Sequence, residues 1–131
     1  MLDEMTNLAG LLKDPDLLAT KGYLAGNWVD GTTGDTFDVT NPARGDVIAQ
    51  VADFSRAQAA EAIAAAQATQ KEWAARTGKE RSVILRKWYD LMMENAEDLA
   101  LILTAEQGKP LAEARGEITY GAVSYTHLRA H

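Results

Sequence analysis

Apolar and polar positions follow two different rhythms along the chain. In the first part, apolar residues come in short clusters separated by turn-forming residues. Tyr23-Leu24 and Trp28-Val29 flank Gly26-Asn27, a pattern that predicts a hairpin, because Gly tolerates the positive φ of tight turns. "GTTG" (Gly31 to Gly34) reads as a loop. In "TFDVTNP", Phe37 and Val39 alternate with polar neighbours, as in a half-buried strand. "NPARGD" (Asn41 to Asp46) predicts a turn, and "VIAQVA" (Val47 to Ala52) a further strand. Ahead of these, Leu2 to Leu12 fits a short amphipathic helix that ends at "KDPD".

After Ala52 the period becomes helical. Ser55 followed by Gln58 is a capping-box pattern, and Thr77 with Glu80 repeats it. Ala59, Ile63, Ala66 and Trp73 share one face of an alanine-rich helix. Leu85, Trp88, Met92, Ala96, Leu99 and Leu103 follow at spacings of 3, 4, 4, 3 and 4. Asn95 interrupts this run as a cap, with Asp98 in the first turn of a separate helix. Gly108 predicts a helix stop and Pro110 the first position of another helix, whose apolar face is Leu111, Ala114 and Ile118. Short strands followed by a run of helices make an α/β chain. Such strands need something to pair with, so the pattern describes a piece of something larger.

Composition narrows the partners. Lys plus Arg total 13 and Asp plus Glu total 19 in 131 residues, a formal net charge of -6 with no basic run. That balance excludes a global attraction to nucleic acid or anionic membrane. The N-terminus is acidic and lacks the apolar core of a signal peptide, and no run of about 18 apolar residues predicts a membrane span. With no cysteine, the chain has no disulfide, thiolate metal site or cysteine nucleophile. A cytoplasmic location suits that composition.

"EQGKPLAEARGEI" (Glu106 to Ile118) contains a Gly-Lys pair that suggests a phosphate loop. Leu103 and Pro110 occupy the slots where that motif needs Gly and Ser or Thr, so the pair reads instead as a helix junction, with Lys109 set to pair with Glu113. Glu106, Glu113 and Glu117 read as a solvated helix face, and Trp28, Trp73 and Trp88 as packing residues. His127 and His131, four apart, have the spacing of a helical metal pair.

The ordered motifs carry more than any one of them. "YLAGNWVDG", "FDVTNPARGDVIAQV", the alanine-rich helix ending "EWAA", and "KERSVILRKWYDLMMENAEDLALILTAEQGKPLAEARGEI" resemble the N-terminal portion of the aldehyde dehydrogenase superfamily. "KERSVILRKWYDLMM" and "EQGKPLAEARGEITYGA" are most similar to the succinate-semialdehyde dehydrogenases. The resemblance implies an incomplete Rossmann-type cofactor domain. It also implies NADP- or NAD-dependent oxidation of a small aldehyde to an acid, in an enzyme that is a homo-oligomer at full length. In that family a cysteine thiolate attacks the aldehyde, hydride passes to the nicotinamide, and a glutamate activates water. None of those residues maps onto this chain, so no catalytic or cofactor residue is carried over, and neither catalysis nor cofactor binding is expected of this chain alone. One item does map: some members hold a monovalent cation near the "TNP" turn and the acidic residue before "xGKP", which here are the Thr40 carbonyl and Glu106.

The implied organisation is an N-terminal extension (1–22), the family segment (23–122), and a tail, "VSYTHLRAH" (123–131), that departs from the family's acidic, aromatic helix and reads as foreign. A competing reading is a stand-alone acidic α/β module that binds a protein partner.

Overall fold

A computed structural model describes residues 7–127, the last three by backbone alone. Leu8–Leu11 form a single helical turn, α1, capped by Asn7, and Pro15–Leu17 a 3₁₀ turn capped by Asp14. The strands are β1 (Gly22–Leu24), β2 (Asn27–Val29), β3 (Thr36–Thr40) and β4 (Val47–Ala52). They pair as two separate antiparallel ladders, β1 with β2 and β3 with β4. The helices are α2 (Arg56–Ala75), α3 (Gly78–Glu94), α4 (Ala96–Gln107) and α5 (Leu111–His127).

The first hairpin turns one residue earlier than the Gly-Asn pattern predicts. Leu24 faces Asn27, so the turn residues are Ala25 and Gly26, with φ of 49° and 88°. Both central positions of this turn need positive φ. Gly26 meets the need without strain, whereas Ala25 is held there by its neighbours, including the Asn27 side-chain Nδ2, which donates to the Ala25 carbonyl at 3.3 Å. In the second hairpin Val39 faces Ala49 but Thr40 faces Val47. Ile48 is therefore the extra residue of a bulge, which sharpens the local twist beside the Asn41 turn.

Both predicted capping boxes form. The Ser55 hydroxyl accepts from the Gln58 amide and the Gln58 side chain accepts from the Ser55 amide; Thr77 and Glu80 do the same. Gln58 is itself buried and reaches further. Its Oε1 also accepts from the Thr32 amide at 3.0 Å, and its Nε2 donates to the Asp30 carbonyl at 3.1 Å. The start of α2 is thereby tied to the loop after β2. Asn95 does separate α3 from α4, but its side chain donates backward to the Leu91 carbonyl at 2.9 Å instead of capping α4.

The packed part of the molecule is α3, α4 and α5, which lie against one another. Ala100, Ala114 and Ala122 are fully buried there, small enough to let the helix backbones approach. Residues 8–14 lie along the same unit, with Leu8 and Leu12 buried. Elsewhere burial is slight. Ile63 on α2 is 68% exposed, and of all residues in α2 only Gln58 is buried. The accessible surface is 9628 Å², against about 6,800 Å² for a compact monomer of this mass. Two of the tryptophans read as packing residues are half exposed: Trp28, in edge contact with Tyr23, and Trp88.

Candidate functional site

A concavity lies where the second hairpin meets the α4–α5 junction. Its volume is about 240 Å³, and its walls include Leu8, Asn41, Ile48, Leu101, Thr104 and Gly108. Local chemistry assembles it. The Asn41 side chain accepts from the Ala43 amide at 2.9 Å, and the Asn41 amide donates to the Asp46 carbonyl at 2.9 Å, which closes the turn between β3 and β4. Arg44 forks onto both carboxylate oxygens of Asp46 at 2.9 Å. That guanidinium holds the Asp46 carboxyl below the ordinary carboxylate range.

On the opposite wall, Gly108 ends α4 in the left-handed conformation, φ 80°, as its position after the apolar run predicts. A Cβ at Gly108 would stand 2.9 Å from Pro42 Cγ. Two separate requirements therefore select glycine: the backbone angle and the close approach of the "TNP" turn. Pro110 begins the next helix from the cap position, where its carbonyl accepts from the Glu113 and Ala114 amides. Lys109 reaches Glu117, not the predicted Glu113. It lies ahead of that cap, outside the helical register that would set it against Glu113.

The third wall is the N-terminal segment, and Asp98 holds it. Asp98 is buried in the first turn of α4; its two oxygens accept from the Lys13 amide at 3.1 Å and the Asp14 amide at 2.9 Å. Sequence reasoning assigned Asp98 only to a helix start. A signal was present: Asp98 heads the stripe Leu101, Ile102, Ala105 at helical spacing, where an acid needs buried donors. Deeper in, the Thr104 hydroxyl oxygen is buried without a hydrogen-bond partner among the described residues.

Thr40 and Glu106, the implied cation pair, flank this junction, and both side chains are exposed. The contact of Pro42 with Gly108 brings together the two segments that carry them. Neither residue lines the cavity, and a monovalent cation would need further oxygen donors beyond these two. His127 ends α5 with its side chain undescribed, and His131 lies outside the described residues. Among the described residues no cluster of three or more His, Asp or Glu could hold a metal. No helix there is long and apolar enough to cross a membrane. The residues that line the cavity include no Asp, Glu, His or Lys.

The family model described as the aldehyde dehydrogenase family matches residues 28–130, and the chain belongs to that family. Among its relatives, a 3-sulfolactaldehyde dehydrogenase of Pseudomonas putida is 52% identical over 110 residues, 84% of this chain and 23% of that protein. An NADP(+) succinate-semialdehyde dehydrogenase of Escherichia coli is 47% identical over 111 residues, 85% of this chain and 23% of that protein. A crystal structure of an aldehyde dehydrogenase from Brucella melitensis biovar abortus superposes with a TM-score of 0.86 at 52% identity, over 90% of this chain and 24% of that one. The α/β arrangement described above is thus that of the aldehyde dehydrogenase fold, and the chain spans about a quarter of the length of the proteins it matches.

Proposed function

We propose that this chain is the N-terminal portion of a cytoplasmic, homo-oligomeric, NAD(P)-dependent dehydrogenase of a small acidic semialdehyde, with succinate semialdehyde as the substrate. What supports the reading is the 47% identity to the E. coli enzyme named for that aldehyde, over 85% of this chain. The P. putida relative is named for a different acidic aldehyde, so the supported class is an aldehyde that bears a second, anionic group. Within such an enzyme these residues supply scaffold. The capping boxes and the Gln58 bridge fix the helices that flank the cofactor domain, and the Gly108–Pro42 contact fixes the cavity wall. The nicotinamide cofactor would supply the redox chemistry, and no residue of this chain is assigned to holding it.

The test is spectrophotometric. The 131-residue chain incubated with succinate semialdehyde and NADP or NAD should give no rise in reduced cofactor. The same chain joined to the downstream remainder of the E. coli succinate-semialdehyde dehydrogenase should give one, at a higher rate than when joined to the remainder of a relative named for a different aldehyde. Turnover by the chain alone, or equal rates in both joined proteins, would overturn the reading.

We also propose a monovalent cation at the Thr40 carbonyl and Glu106, completed by a donor from outside this chain. In the joined protein, potassium or sodium should raise the thermal midpoint relative to a bulky organic cation of equal ionic strength. Glu106→Gln should abolish that difference. An equal response from the Gln variant would remove the site.

A further inference from the structure

We draw no further inference here: the strongest candidate, the cavity of about 240 Å³ between the β3–β4 hairpin, the N-terminal segment and the α4–α5 junction, is walled mainly by apolar side chains, and the unpaired Thr104 hydroxyl oxygen has no surface open to it, so nothing in the structure shows what would occupy it.

Discussion

Helix α2 is half alanine, while α4 and α5 carry only about a fifth, yet the buried alanines lie in α4 and α5. Ala100, Ala114 and Ala122 are fully buried. On α2, Ala59, Ala66 and Ile63 remain exposed. Both regions satisfy the local rules for a helix: good formers inside and caps at the ends. Only α4 and α5 have a neighbour at close range. Alanine secures helix formation locally, but it stabilises a fold only when a second backbone approaches to within its short reach. The loose region of this molecule is therefore helical without being packed. Apolar residues there, Ile63 among them, stay exposed.

The sharpest way to break the contrast is to release the packed side. Asp98→Ala leaves the Lys13 and Asp14 amides without their acceptor, at a cost of about 2–4 kcal/mol for two bonds to a carboxylate. Hydrogen exchange at those two amides should accelerate, and proteolysis within residues 12–20 should follow. Asp98→Asn, which keeps one acceptor oxygen, should fall between. Unchanged protection in the Ala variant would mean that the segment is held by Leu8 and Leu12 alone.

A paired substitution tests the contrast directly. Ala114→Leu forces a larger side chain into a fully buried site and should destabilise by about 1–3 kcal/mol. Ala66→Leu, the same change on the exposed face of α2, should fall within about 0.5 kcal/mol of zero. Denaturant midpoints, followed by exchange in α5 for the first variant and helical circular dichroism for the second, separate the two. Equal effects would show that α2 is packed after all.

How much of this was legible in the sequence depends on the range of the interaction. Ser55/Gln58 and Thr77/Glu80 satisfy each other within four residues, so their spacing suffices, and Gly108 announces its turn in the same way. The β4 boundaries, Val47 and Ala52, follow from a short apolar run after the turn at Asn41 to Asp46. The hairpin turn came out one residue off because Ala25 accepts a positive φ that its side chain disfavours. Propensity pointed to Asn27, and strand register overruled it. Lys109 was given the partner that helical spacing suggests, although it stands outside the helix. The exposure of Trp28 and Trp88 had no signal at all, because residue type and spacing do not tell how much of a side chain its neighbours cover. At the cavity, the closing glycine was readable, but the Asp98 clamp spans 84 and 85 residues and needed the fold.

Ala25 also offers a gain in the loose region. Replacement by Gly removes a left-handed alanine, which costs roughly 1 kcal/mol relative to a residue free to adopt it. The gain is partly offset because Gly has more freedom in the unfolded chain. Ala25→Gly should therefore stabilise the first hairpin modestly, seen as slower exchange at the β1–β2 amides with no change in α4 and α5. A change in both regions would contradict the view that the two are weakly coupled.

The smallest effect concerns acid. Hydrogen bonds from Arg115, with Nε at 2.9 Å and Nη2 at 2.8 Å, lower the Glu97 pKa and join the start of α4 to α5. Hydrogen bonds from the Thr77 hydroxyl and amide lower that of Glu80 at the start of α3. A folded-state pKa below the unfolded one contributes stability that is complete above the ordinary glutamate range and is lost as pH falls through the lowered value. Both groups are solvent-exposed, so screening keeps each contribution small. Their locations differ in what they hold: Glu97 supports contact between helices, whereas Glu80 supports a cap within one helix. Acidification should thus loosen exchange protection at the α4–α5 contact through Glu97 and fray the first turn of α3 through Glu80. Glu97→Gln should remove the first response and leave the second. Loss of both in that single variant would mean that α3 is anchored through the packed unit, not by its own cap.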